Sequence, residues 1–134
     1  MKKIQSQSTS NPTSISQYAA EAALNGPQDC IGEMLVQFRK RHDYVVERLN
    51  GIAGIECLPT DGTFYVFPSV KGMIDTMPDI HDDLQLAEHL IVNAGVALVP
   101  GAAFGLGGHA RISIATSMQN LEQALDRIER VAGG

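Results

Sequence analysis

The chain has 134 residues, 44% of them hydrophobic, and a formal net charge of -5. That length suits one domain of ordinary size with enough apolar surface for a core, and the negative charge argues against a nucleic-acid surface. No run approaches the roughly 20 apolar residues that cross a bilayer, and the polar N-terminus lacks a signal-peptide hydrophobic region, so a cytoplasmic protein with no nucleic-acid or membrane partner is expected.

Residues Lys2 to Ser10 are polar, and Asn11-Pro12 is a turn or helix-start signal. A helix is expected from there to Asn25, with Ile15, Ala19, Ala22 and Ala23 on a smooth face and Gly26-Pro27 as its stop. A longer helix starts near Gln28-Asp29 and carries Ile31, Met34, Leu35, Phe38, Val45, Leu49 and Ile52 at three- and four-residue steps. At 1.5 Å per residue its roughly 22 residues span about 33 Å, more than a small core needs, which reads as a connecting beam. Its basic cluster Arg39-Lys40-Arg41-His42 reads as a solvated face. Cys30 and Cys57 have no CxxC spacing and no histidines at metal-ligand intervals, so free thiols and no metal site are expected.

Ile55 to Leu58 and Thr63 to Phe67 read as an antiparallel strand pair joined by the turn Pro59 to Gly62, with both faces of the second strand covered. Pro68 ends that strand, and Lys71 through His81 is expected as a loop. A third helix follows, capped by Asp82 or Asp83, with Leu84, Ala87, Leu90, Ile91 and Ala94 on its buried face. A fourth begins at Thr116 or Ser117 and repeats Leu121, Ala124, Leu125, Ile128 and Val131. The irregular order of elements predicts an α+β fold: a small mixed or antiparallel sheet covered by helices and preceded by the long connecting helix.

Between the last two helices lies the stretch of greatest chemical interest, Gly95 to Thr116. Gly95 fits a helix C-cap, Val96 to Val99 a short strand closed by Pro100, and Arg111 to Ala115 a second strand. In that strand Ile112 and Ile114 point one way, and Arg111, Ser113 and Ala115 the other. A guanidinium among such small neighbours suits a planar anion, which its rigid fork grips with two parallel hydrogen bonds. An internal salt bridge to one of the 15 Asp and Glu residues suits it as well. The glycines at 101, 105, 107 and 108 neither open a helix in the dinucleotide-binding manner nor precede a Gly-Lys-Ser/Thr sequence. They are read as a loop lining a cleft. His42 and His89 fall within helices and His81 in a loop, and His109 reads as a loop residue rather than a base.

Three stretches, Gln7-Ser8-Thr9-Ser10-Asn11-Pro12, Asp61-Gly62-Thr63-Phe64-Tyr65, and Gly95 to Gly105 with Arg111-Ile112-Ser113-Ile114-Ala115, occur in one order and spacing. Together they resemble the C-terminal third of the class I and II pyridoxal-phosphate aminotransferases, especially the prokaryotic aspartate-aminotransferase-like branch, over roughly residues 3 to 131. The resemblance implies that Arg111 binds the substrate α-carboxylate. It implies that Ser10 and Asn11 belong to a turn at the dimer interface near the partner subunit's cofactor site, where helix-start and site-lining roles fit equally. Phe64 and Tyr65 fall in a strand where core packing is favoured over substrate contact, and Phe104 with the glycine loop forms a wall and hinge for closure of the small domain. In the dicarboxylate-specific animal-type branch an arginine stands four residues before the serine of the S-N-P turn, and Ser6 occupies that position here.

The resemblance further implies residues 1–27 as a remnant of the large domain, including a dimer-interface helix, and residues 28–134 as the connecting helix and small domain. The whole enzyme would be a homodimer that uses pyridoxal 5'-phosphate to exchange an amino group between an amino acid and a 2-oxo acid. The family's cofactor-binding lysine lies in a Ser-x-Ser-Lys stretch, and Lys2, Lys3, Lys40 and Lys71 have no such context. The expected reading is a C-terminal fragment that is inactive alone, with no catalytic residue of its own and no bound cofactor. An aminotransferase-like effector-binding domain of a transcription regulator and an autonomous small-molecule-binding module are the alternatives.

Overall fold

The computed structural model describes residues 2–8 and 11–133. The chain divides into two compact units, Met1–Met34 and Leu35–Gly134. Helices α1 (Lys2–Ser8), α2 (Ser14–Asn25) and the first turns of α3 (Asp29–Asn50) belong to the first unit. The second holds the rest of α3, strand β1 (Tyr65–Val66), α4 (Lys71–Asp75), α5 (Asp83–Ala94), strand β2 (Val99–Pro100), a 3-10 turn (Gly101–Phe104), strand β3 (Ala110–Ser113) and α6 (Met118–Ala132). The fold is α+β, with a three-stranded antiparallel sheet in the order β1-β3-β2. No helix of the described residues is long and apolar enough to cross a membrane.

In the first unit the polar segment expected before Asn11 is helical from Lys2 to Ser8, with the Ser6 and Ser8 hydroxyls donating to the carbonyls of Lys3 and Ile4. Serine hydroxyls that bond back within a turn add no reach, so nothing in the sequence periodicity marks this helix. Helix α2 starts two residues past Pro12, caps at Thr13 and stops where Gly26 N–H bonds the Ala22 carbonyl at 2.9 Å. None of its side chains is buried. The Gln28 amide donates to the carbonyls of Ala23 and Gly26 and so joins the end of α2 to the start of α3.

The core of the second unit draws Val45 and Leu49 from α3, Val66 from β1, Met73 from α4, Leu86 and Leu90 from α5, Ile114 after β3, and Leu121, Leu125 and Ile128 from α6. The apolar stripe of α3 is thus buried only near its C-terminal end. Ile31, Met34 and Leu35 are exposed. Arg48 fastens α3 to α6: its guanidinium donates to Asp126 at 2.8 Å and Glu129 at 3.0 Å, and to the Tyr44 hydroxyl at 2.8 Å. The Asp126 bond, aided by Tyr44, outweighs the cost of burial and drives the Arg48 pKa upward. Past α3, the Asn50 side chain and the Cys57 backbone exchange hydrogen bonds of 2.9 and 2.8 Å, which folds the chain back. Both cysteines are free thiols, and burial pushes that of Cys57 up to about 11.

Three expectations for strands and loops are corrected. Residues 55–58 do not pair with 63–67. Glu56 instead makes a single antiparallel bridge to Ser69, and β1 shrinks to two residues that pair with β3 through Tyr65↔Ser113 and Val66↔Ile112. The reason lies at Thr63, whose backbone takes φ 76°, a left-handed value costly for a β-branched residue, and so breaks the run before β1. Its hydroxyl, bonded to the Tyr65 carbonyl at 2.9 Å, holds the turn. The loop after Pro68 contains helix α4, because Val70, Met73 and Ile74 fall on one face and are buried, a short pattern interrupted in sequence by Gly72. Val96 is part of the α5 cap rather than of a strand: Gly95 sits at φ 63°, and the Val96 N–H reaches back to the Leu90 carbonyl at 3.1 Å. Strand β2 therefore begins later and includes Pro100, which is tolerated at the sheet edge.

Candidate functional site

Strand β3 lies in the middle of the sheet and carries Arg111 opposite Val99. The guanidinium carbon stands 4.7 Å from the Phe104 ring centre and 5.5 Å from that of Tyr65. Phe104 meets Phe67 edge to face at 6.1 Å, and Phe67 stacks on the His109 ring at 5.4 Å. On the other side Phe64 meets Tyr65 edge to face at 5.5 Å. Arg111 is therefore the one cation in a row of aromatic rings running from His109 to Phe64.

Rings attract a guanidinium through their π faces and accept none of its in-plane N–H bonds in the manner of a carboxylate. Among the described residues the ion pairs are His42 with Asp43 and Arg48 with Asp126 and Glu129, and Arg111 enters none of them. The internal salt bridge that the sequence left open is absent there. The planar fork remains available for an oxyanion, with ring walls that lower the local dielectric and strengthen the charge-assisted bonds it would make.

Phe104 is held by the 3-10 turn, which is closed by the Gly101 N–H bonding the His109 carbonyl at 2.7 Å and the Leu106 N–H bonding the Gly101 carbonyl at 3.1 Å. Gly101 has to be glycine, since an added Cβ would overlap the Leu106 carbonyl oxygen. The inner side of the turn faces Asp83, which is 3% exposed. One carboxylate oxygen accepts the Ala102 N–H at 2.7 Å and the other the Gly108 N–H at 3.0 Å. Burial opposes the charge on Asp83, but the N–H groups of Ala102, Gly108, Asp83 itself and Gly101 outweigh it and hold the carboxyl below its usual range. Two of the loop's amides are thus taken by an anion of the chain's own.

The structure brings Arg111, Phe104 and Tyr65 together. Phe64 joins through Tyr65 and is 54% exposed, so the core-packing role expected for it does not hold. Tyr65 is half-buried against Arg111 rather than in the core. Asn11 is exposed in the first unit, while Ser10 lies outside the described residues. Sequence reasoning missed Phe67 and the loop-facing role of Asp83. The available signal for the latter was the Asp82-Asp83 pair. Asp82 caps α5 by accepting the Gln85 N–H at 2.8 Å, which leaves its neighbour without a capping role.

An arginine fork between aromatic walls on a small antiparallel sheet has the shape and charge that suit a planar anion. The family described as aminotransferase class I and II matches residues 1–128. Curated relatives include an aspartate/prephenate aminotransferase from Nitrosomonas europaea, 47% identical over 96% of this chain and 34% of its own length. Another is a probable aspartate/prephenate aminotransferase from Rhizobium leguminosarum bv. phaseoli, 49% identical over 99% of this chain and 34% of its own. Among solved structures, the aspartate aminotransferase from Rhizobium meliloti superposes with a TM-score of 0.87 at 43% identity, covering 97% of this chain and 34% of that one. The chain belongs to the class I and II aminotransferase family and spans about a third of the length of these relatives.

Family membership implies pyridoxal phosphate in the full-length protein. The residues at Arg111 do not form a pocket for it: the guanidinium lies against two rings, and none of the groups gathered there is an amine.

Proposed function

We propose that Arg111 binds the α-carboxylate of an amino acid or 2-oxo acid in a cytoplasmic, homodimeric aminotransferase of which this chain forms the C-terminal part. One observation carries the reading: the Arg111 fork is walled by Tyr65 and Phe104 and enters no ion pair among the described residues. Residues 1–27 belong to the large domain and the dimer interface, and 28–134 are the connecting helix and small domain. The exposure of every α2 side chain and of Ile31, Met34 and Leu35 supports this division. The names of the relatives make aspartate the first substrate to test, although Ser6 offers no positive charge at the position where the animal-type branch has its dicarboxylate arginine.

In this role the chain orients its substrate rather than reacting with it. A bidentate pair fixes both carboxylate oxygens and hence the direction of the Cα–H bond, and the two rings flank the fork. The chain alone transfers no amino group, because the amine that would hold the cofactor is supplied from outside it.

Titrating the chain with L-aspartate and with acetate, followed by the Arg111 Nε–Hε resonance, tests the assignment. Loss of a charge-assisted pair worth roughly 1.5–3 kcal/mol corresponds to an affinity loss of about 10- to 150-fold in Arg111→Ala. Arg111→Lys keeps the charge without the fork and is expected to fall between. Equal affinity of wild type and Arg111→Ala, read by calorimetry, would overturn the assignment.

A further inference from the structure

Asp83 is the buried charged residue of the described chain. A carboxylate out of water needs compensation close to what it lost, and among the described residues no cation is paired with it. The charge is met by backbone N–H groups on the two sides of one loop, Ala102 in its first turn and Gly108 at its exit. The carboxylate fits beneath the loop closely, since a Cβ added to Gly107 would stand 3.5 Å from Oδ1. Between the two anchor points lies Phe104, half of whose surface is exposed and whose ring meets Phe67 and the Arg111 guanidinium. A ring on a glycine-rich loop with so little buried area would otherwise open locally. Helix α5, which carries Asp83, is fixed by Leu86 and Leu90, at 0% and 1% exposure.

These contacts form a chain of constraint from packed helix to carboxylate, loop, ring and cation. We propose that Asp83 is a positioning residue for Arg111: its carboxylate locks the Gly101–Gly108 loop and thereby sets Phe104 against the guanidinium. In consequence the loop moves as one piece with α5, and the wall of the site keeps its shape before any ligand arrives. The importance of this lock for substrate binding rests on the reading of Arg111 given above, while the lock itself does not.

The test uses the isotope-labelled 134-residue chain with no carboxylate ligand present. In Asp83→Asn one of the two loop amides faces an NH2 group instead of an oxygen. Exchange protection of the Ala102 and Gly108 amides is expected to fall at least tenfold, while Leu49, Ile114 and Leu125 keep theirs. The Arg111 Nε–Hε resonance, displaced by the ring current of Phe104, is expected to move most of the way to its position in Phe104→Ala. The double variant should move it no further than Phe104→Ala does, because both changes break the same chain. Asp83→Ser, which leaves one acceptor and room for water, should give the same pattern at smaller amplitude if Asp83→Asn fails to fold. An Arg111 resonance that stays at its wild-type position while the two amides lose protection would overturn the proposal, as would strictly additive shifts. Failure of wild type to bind any carboxylate would overturn the assignment of Arg111 and leave these outcomes untouched.

Discussion

Three arginines of the second unit, Arg41, Arg48 and Arg111, lie over aromatic rings, and the last two have opposite fates. Arg48, at the seam of α3 and α6, stands 5.8 Å from the Tyr44 ring centre and spends its N–H groups on Asp126, Glu129 and the Tyr44 hydroxyl. Arg111, in mid-sheet, has rings at 4.7 and 5.5 Å and enters no ion pair among the described residues. The cation–π contact is common to both and so does not separate an arginine with carboxylate partners from one without. The acceptors do. Helix α6 presents Asp126 and Glu129 three residues apart on one face, which suits a guanidinium reaching across from α3. β3 presents Ser113 beside Arg111, and Ser113 turns its hydroxyl to the Ala115 N–H at 3.2 Å.

The contrast breaks if the two arginines can be exchanged in their effects. The largest expected effect is the loss of carboxylate affinity, tenfold or more, in Arg111→Ala with little change in melting temperature; Arg48→Ala should leave that affinity within twofold. Next is stability. Arg48→Ala should cost about 1 kcal/mol in urea unfolding at low salt and less at 1 M salt, because the pair is partly exposed and screened. An Arg48→Ala variant as stable as wild type at low salt would remove the structural half of the comparison. The smallest effect concerns acid. Asp83 has a folded pKa below its unfolded value of about 3.9, so its contribution is fully present above that value and is lost as pH falls through the folded one. The stability gap between wild type and Asp83→Asn should therefore be constant from neutrality to about pH 5 and narrow below pH 4. A gap that widens on acidification would mean that the carboxyl is neutral in the fold.

Local features were legible in the sequence because their physics is local. Asp82 and Gly95 bracket α5, and Ser117 caps α6 by accepting the Asn120 N–H, each within three or four residues of its partner. The core faces of α5 and α6 follow from spacing in the same way, with Leu90, Leu121, Leu125 and Ile128 buried as expected, although Leu84 and Ile91 are exposed. Arg111 stood out because a charge between small and apolar neighbours is unusual. What surrounds it was not legible. Phe67 and Phe104 are 37 positions apart in sequence and meet only because β1 and the 3-10 turn flank the same strand. Asp83 looked like a second cap, and its true partners lie 19 and 25 residues further on. The strands were overestimated because apolar, β-branched runs announce extended backbone without announcing a partner, and here two-residue ladders suffice.

The ends of those ladders have a consequence for how this chain meets its neighbours. Strand β2 finishes on Pro100, which has no N–H to offer, and the buried Pro68 follows β1 after one intervening residue, Phe67. An incoming strand would find on either border of the sheet a ledge only two residues long, ended by Pro100 on one side and shortly followed by Pro68 on the other. Both margins therefore discourage growth of the sheet by strand addition, and the strand that carries Arg111 lies in the interior between them.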